Sequence, residues 1–367
     1  MKLSLLSSYV VLSVFIAPTI AWAGMDKVQR EIEARGPEPD ADAEPERLIG
    51  DLHDLSKRSD VGDAIARILG GTESAQSDVG GYRPPGPVRS RRCREDECCK
   101  WGHFSRFLTR QLRDRRTGQC NDLARACIRL GFHDAGTWSK KLAAEGSDFG
   151  GADGSIVKAR EERDRPGNNG LQRIIRRMEV WTKIFDLDDN IADAIQFCAI
   201  HATVTCPLGP RVRFFAGRKD SRKAAPDGLL PKHTDSAQVL MDNFADKGFT
   251  PRELVALVGA HTTSRQRFAD PANAGKFQDS TPGVWDTAFY GETLDTSTPR
   301  NVFKFQSDIN LSQHPTTAPT WKFFVGPAGQ GPWNGGFARA YVRMSMVGVK
   351  NINSKLFFPV YDLPNLR

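Results

Sequence analysis

The 367-residue chain carries a net charge of +7, with 39% hydrophobic and 26% charged residues. That balance is ordinary for a globular protein and leaves enough apolar surface for one large domain or two packed lobes. The positive excess is spread along the chain without interleaved aromatics, which excludes a nucleic-acid-binding platform and leaves solubility or affinity for acidic polymers.

In chain order, residues 1–23 read as a signal peptide: a lysine, the apolar run LLSSYVVLSVFIAPTI and the small-residue cleavage pattern AWAG. The run is short for a membrane span and no second one follows, so a secreted protein is expected. Residues 24–92, rich in Pro, Gly and acid, are expected to be a largely unstructured pro-region or tail. Within them, VGDAIARIL (61–69) has the pattern of a short amphipathic helix. Basic pairs at Lys57-Arg58 and Arg91-Arg92 suggest either processing, with a mature chain from Cys93, or a retained tail.

From Cys93 onward the periodicity is helical. CKWGHFSRFLTRQLRD and QCNDLARACIRLGFHD place apolar residues at three- and four-residue intervals, the second opening on the cap-type Asn121. Residues 188–204 are apolar nearly all round, as in a helix buried at the centre of a domain. RVRFFAGRKD (211–220) is the best short hairpin candidate. TPRELVALVGAHTT opens with a capping box, Thr250 and Glu253, and a proline at the first helical position, so it should deliver His261 at the end of a helix begun near 251. The class is mainly α.

Two histidines carry candidate chemistry. Arg129 and His133 are four residues apart and so share a helical face. A neutral imidazole can take and return a proton while a guanidinium steadies a departing anion, and Phe132 beside them would exclude water. This set suits heterolysis of an O–O bond. His261 becomes an iron ligand if an acid holds its other ring nitrogen, and FQSDIN offers Asp308. Oxygen donors of the kind calcium prefers cluster after each histidine. Asp134 is joined by the Gly151 carbonyl, Asp153 and Ser155, and Thr262 by Asp279, Thr281, the Val284 carbonyl and Asp286.

In order, the motifs RLGFHDA, GGADGS, NNGL, TCPLGPRVRFFAGR, APDGLLP, LVALVGAHT, DSTPGVWD and QSD fall within the stretch from Cys93 to about Ser312. Over that length the chain resembles the plant-type haem peroxidases, most of all the secreted fungal class II enzymes (lignin, manganese and versatile peroxidases). The resemblance implies a two-lobed helical fold over 93–367, the distal lobe about 93–215 and the proximal about 216–367. One haem b lies between the lobes and two calcium ions outside it. It makes His133 the distal acid/base, Arg129 its partner, Asn168 (with Glu162 behind it) the residue orienting the His133 ring, His261 the proximal ligand and Asp308 its partner. It pairs Cys120 with Cys206 and Cys93 with Cys99. The family partner of Cys98 is missing, so Cys98 either stays unpaired or re-pairs. Cys127 and Cys198 are additional, and their spacing from the Cys120–Cys206 link allows a second bridge or two buried thiols, the thiols being preferred.

Departures from the family bear on the donor. Its three manganese-binding acids correspond to Asp122, Ala126 and Arg267, and its surface tryptophan to Ala256. HDAGTW and LVALVGAHT lean toward intracellular class I relatives, but the distal aromatic is Phe132 and the region of the class I proximal tryptophan reads Phe277-Gln278. The expectation is a secreted, monomeric peroxidase using hydrogen peroxide to oxidise small phenolic or aromatic donors at the haem edge. Manganese oxidation, a surface-tryptophan route, nucleic acid and a membrane span are not expected. The alternatives are a class I-like enzyme with a protein reductant and a catalytically lapsed, calcium-stabilised binding protein. Asn310, in the one sequon NLS, is expected to be buried and unmodified.

Overall fold

The computed structural model describes residues 49–53, 59–77 and 82–355. The signal-type segment, the Lys57-Arg58 pair and the end of the chain beyond Lys355 lie outside the described residues. The labelled helices are α1 (Asp60–Leu69), α2 (Cys99–Leu112), α3 (Asp122–Ala135), α4 (Gln172–Ile184), α5 (Ile191–Thr205) and α6 (Ala237–Ala245), followed by α7 (Pro251–Val258), α8 (Ala288–Leu294), α9 (Gln306–Gln313), α10 (Ala318–Phe323) and α11 (Gln330–Met344). The architecture is mainly α, and β structure among the described residues is confined to isolated bridges.

α5 explains the layout. Its run of Ala, Ile, Phe and Val has no polar stripe, and every residue from Ile191 to Thr205 is buried. Such a helix needs neighbours on all sides, and it packs against α3, α2 and α4. Most of its polar side chains are satisfied internally, His201 Nδ1 being an exception. Gln196 Nε2 donates to the Gly131 carbonyl at 3.0 Å and the Tyr341 hydroxyl donates to Gln196 Oε1 at 3.1 Å, tying α3, α5 and α11 together. In the second half of the chain, α7 lies on α11, while α8 packs on α9 and on the turn after α7.

Three disulfides are present: Cys93–Cys99, Cys120–Cys206 and Cys127–Cys198. The third replaces the buried thiols preferred from sequence. The Asp122–Ala135 helix leaves the Cys120–Cys206 link and the Ile191–Thr205 helix runs toward it, so Cys127 and Cys198 come level about two turns from the link. Cys98 stands outside these bridges. The Asn310 side chain donates to the Asp235 carbonyl at 2.9 Å and accepts from Gln306 Nε2 at 2.9 Å, so both ends of its amide are engaged.

Two sequence expectations are corrected. RVRFFAGRKD forms no hairpin. Its neighbour comes instead from residues 75–77: Arg213 N donates to the Ala75 carbonyl and Ser77 N to the Arg211 carbonyl, around an isolated Gln76–Val212 bridge. Gly217 N and Arg218 N turn inward to the buried Asp193 carboxylate, which also pairs with Arg218 at 2.9 Å, leaving no returning strand. The described parts of 24–92 are likewise not an unstructured tail. Leu52, Ile65, Ile68 and Leu69 are each at most 1% exposed, and α1 packs on α11. Asp51 caps the turn at Ile352–Asn353 by accepting from both backbone amides.

Candidate active site

α3 begins as the sequence predicts, with Asn121 Oδ1 accepting from Leu123 N at 2.9 Å and Ala124 N at 3.2 Å. Two turns on, Arg129 and His133 meet. Arg129 Nε donates to His133 Nε2 at 3.1 Å, and His133 Nδ1 lies 2.8 Å from Asn168 Oδ1. A guanidinium can only donate, so Nε2 is an acceptor and the ring proton sits on Nδ1. Asn168 agrees with this assignment: its Nδ2 donates to the Glu162 carbonyl at 2.8 Å, which turns its oxygen toward the ring. Glu162 thus acts through its backbone, while its carboxylate accepts from Ala225 N at 2.9 Å. Burial, and then the Arg129 charge, pull His133 down to about 3, opposed by the Asn168 hydrogen bond. Nε2 is therefore an unprotonated base throughout the neutral range.

Arg129 is gripped by the loop that supplies Asn168. Its Nη1 donates to the Asn169 carbonyl at 2.8 Å and its Nη2 to the Gly167 carbonyl at 3.0 Å. Phe132 stacks on Phe244 at 6.1 Å and stands edge-on to His133 at 5.8 Å, walling one side of the imidazole.

α7 carries the expected capping box, Thr250 N donating to Glu253 Oε2 at 3.0 Å and Glu253 N to Thr250 Oγ1 at 3.2 Å. The α-helix stops at Val258, and His261 sits in a 3₁₀ turn, Gly259–Thr263. The turn redirects the ring toward α9, where His261 Nδ1 meets the Asp308 carboxylate at 3.0 Å. A carboxylate accepts, so Nδ1 carries the proton and Nε2 presents its lone pair. Phe289 and Phe305 stand edge-on to the ring at 5.7 and 5.4 Å and fix its plane. Asp308 itself lies in the first turn of α9, where the helix dipole favours a carboxylate.

These features fit a haem. His261 keeps 34% of its side chain accessible while Asp308, Thr262 and Thr263 are buried, and Arg129 and His133 are half-buried between the buried Cys127, Leu130 and Asp134. Each imidazole is fixed through Nδ1, and His133 Nε2 is shared with Arg129 Nε.

The oxygen clusters differ in how far they are satisfied. Asp134 is fully buried: Oδ2 accepts from Gly154 N at 3.2 Å, but Oδ1 has no protein partner, nor does the buried Ser155 Oγ. Asp153 Oδ1 accepts from Ser155 N at 2.9 Å, and the Gly151 carbonyl accepts from Asp153 N at 2.8 Å. Burial, then the charges of Asp153 and Glu162, push the Asp134 carboxyl well above its usual range. Two orphaned buried oxygens beside a second acid fit a hard cation. In the other cluster the hydroxyls close onto the acids, Thr262 Oγ1 donating to Asp279 Oδ2 and Thr281 Oγ1 to Asp286 Oδ1 at 3.0 Å. Burial drives Asp279 up to about 8, with Asp286 adding to it. Val284 is half-buried on the same loop, its N–H donating to the Thr281 carbonyl at 2.9 Å.

Asp122 is occupied by cations, Arg125 Nη2 at 3.0 Å and Arg265 Nη1 at 3.2 Å, while Ala126 is half-buried and Arg267 exposed. Ala256 is buried, its carbonyl accepting from Trp333 Nε1 at 3.0 Å. Sequence reasoning missed Gln196 and the Asp193–Arg218 pair, which hold the frame behind α3. Their signal was a polar side chain inside an otherwise apolar helix.

Comparison with known proteins gives the same family. The family model for peroxidases matches residues 107–326. The chain is 32% identical over 254 residues to a low-redox potential peroxidase of Taiwanofungus camphoratus, covering 64% of this chain and 76% of that one. It is 32% identical over 269 residues to manganese peroxidase 3 of Phlebia radiata, covering 68% and 73%. A peroxidase of Arthromyces ramosus is 31% identical over 243 residues, covering 62% and 66%. The chain belongs to the peroxidase family and is a haem-dependent peroxidase.

Proposed function

We propose a secreted peroxidase that reduces hydrogen peroxide and oxidises small phenolic or aromatic donors in one-electron steps, with His261 holding one haem b. When bound, haem supplies an iron that takes peroxide and the redox capacity passed on to donors. His133 Nε2 accepts the proton of the incoming peroxide oxygen and returns it to the outer oxygen, which leaves as water. Nδ1–H on Asn168 keeps the ring from turning during that exchange. Arg129 lies beside the same nitrogen and stabilises negative charge on the departing oxygen. Phe132 keeps competing water away.

Asp308 keeps the proton of His261 on Nδ1 and raises the basicity of Nε2, the atom toward the iron. Asp134, Asp153, Ser155 and the Gly151 carbonyl would hold one calcium. Thr262, Asp279, Thr281, Asp286 and the Val284 carbonyl would hold the other. Each adjoins a site histidine in sequence, so loss of calcium should loosen that histidine. Mn(II) is not the donor in this reading, because the one acid at the corresponding position is neutralised by Arg125 and Arg265. Secretion rests on the signal-type segment; among the described residues no helix is long and apolar enough to cross a membrane.

The observation carrying the reading is the matched but opposite fixing of two imidazoles, His133 by an amide and His261 by a carboxylate. Loading the chain with hemin and calcium tests it. A Soret band that shifts on adding peroxide, followed by turnover of phenols that Mn(II) does not increase, is expected. A chain that stays colourless, or whose band ignores peroxide, overturns it.

A further inference from the structure

Beyond Ser264, whose N–H caps the turn on the His261 carbonyl at 2.9 Å, the segment 265–276 makes no hydrogen bond to either histidine or to the oxygen clusters. It is nevertheless built as a rigid loop. Gln266 N donates to the Lys276 carbonyl at 3.0 Å and Gly275 N to the Gln266 carbonyl at 2.8 Å. The Gln266 side chain, 4% exposed, donates to the carbonyls of Asp270 and Asn273. Gln266 thus sets the loop's shape from inside, and the next two residues, Arg267 and Phe268, are exposed.

An exposed phenylalanine alone is unremarkable in meaning. Phe268 is 58% exposed, yet its ring edge is seated on the backbone beside Arg129. A Cβ at Gly170 would stand 2.8 Å from Phe268 Cε2 and 3.5 Å from Arg129 Nη1. Gly170 also has φ +89°, so the position demands glycine twice over. The open face of this ring therefore borders the loop that grips the distal arginine.

The preceding residue, Arg267, acts on Asp122 through space, helping to lower its carboxyl, and forms no hydrogen-bonded pair with it. Asp122 gives Oδ1 to Arg125 and Oδ2 to Arg265. The guanidinium of Arg265 lies 4.3 Å from the Phe277 ring centroid. Asp270, the acid of the loop, accepts from Ala272 N at 2.9 Å and Asn273 Nδ2 at 2.7 Å. With both nearby acids engaged, Arg267 makes no ion pair among the described residues.

We infer that Arg267 and Phe268 form a docking site for aromatic donors bearing a carboxylate, the donor ring lying on Phe268 and its carboxylate on Arg267. This rests on the peroxidase reading and narrows its donor class. A phenol carrying an acidic side chain, such as a hydroxycinnamate, meets both requirements, whereas its ester meets only the aromatic one. Exposed guanidinium–carboxylate attraction is modest and screened by salt, so the site discriminates by a few-fold and mostly at low ionic strength.

The test compares 4-hydroxycinnamate with its methyl ester on the hemin- and calcium-loaded full chain. At low salt, kcat/KM for the acid should exceed that for the ester by about three- to five-fold, shrinking at high salt. Arg267→Gln should bring the acid-to-ester ratio to about one, and Phe268→Ala should raise KM for the acid more than it lowers kcat. Calorimetric titration of 4-hydroxycinnamate into the peroxide-free holoprotein should show weaker binding in Arg267→Gln. A ratio near one in the unaltered protein, or Arg267→Gln keeping the original ratio, overturns the inference. A Soret band indifferent to peroxide overturns the peroxidase reading instead, and the calorimetry then still decides whether Arg267 binds the carboxylate.

Discussion

His133 and His261, proposed above as distal and proximal, are held by the same device with one change. In each ring Nδ1 is tied to a side-chain oxygen and Nε2 carries the lone pair. His133 is tied to a neutral amide, Asn168, and His261 to a carboxylate, Asp308. An amide fixes orientation without adding negative charge, which suits the weak, proton-returning base proposed for His133. A carboxylate adds electron density, which suits a ligand that must stay on a metal. The supports differ too. The distal helix is bolted to α5 by two disulfides, whereas the proximal ring is placed by a 3₁₀ turn and two edge-on phenylalanines.

The largest expected effect separates the two roles outright. His133→Leu should slow the reaction with peroxide by about 10²–10⁴-fold, the range for losing a general acid–base group, while the Soret band persists. Stopped-flow absorbance reads both, and a fast variant would refute the distal assignment. Next comes the bolted half. With Cys120–Cys206 in place, Cys127–Cys198 closes an inner loop of about 15 residues, so Cys127→Ala/Cys198→Ala should cost about 3 kcal/mol in denaturant unfolding.

Exchanging the proximal anchor is a smaller step. Asp308→Asn should weaken hemin affinity by about 10- to 100-fold, as for other partners of metal-bound histidines, and titration against a competing haem acceptor measures it. A further effect, which grows with acidity, concerns acid stability. His201 is fully buried, its Nε2 2.9 Å from Thr109 Oγ1 and its Nδ1 without a partner, and burial pulls it down to about 3. The folded chain keeps it neutral while the unfolded chain protonates it near pH 6.5, so the cost is absent above 6.5 and grows as pH falls toward 3. The slope is about 1.4 kcal/mol per pH unit. His201→Gln should flatten the pH dependence of thermal unfolding between 6.5 and 4; an unchanged profile would place the acid-labile point elsewhere.

The sequence shows some of these features because they are local. Asn121 and the Thr250–Glu253 box announce helix starts through side chains that satisfy nearby amides. The apolar run of α5 announces burial because no face of it could meet water. Other features depend on distant partners. The helix before His261 ends in a 3₁₀ turn because Asp308 and two phenylalanines draw the ring aside. RVRFFAGRKD pairs with residues 75–77 because Asp193 claims the amides a hairpin would use. The region before Cys93 reads as a tail because its average composition hides Leu52, Ile65, Ile68 and Leu69, a few apolar residues that suffice once α11 receives them.

That last contact has a practical consequence. Residues 49–53 and 59–69 act as a clasp joining an early part of the chain to a late one, with Ser59 N and Asn353 Oδ1 within 3.4 Å and Leu52 sealed beneath. Expression starting at Cys93 would uncover greasy surface on α11 and release the turn at Ile352. A preparation trimmed that way invites aggregation, so recombinant work should retain the chain from at least residue 49 onward.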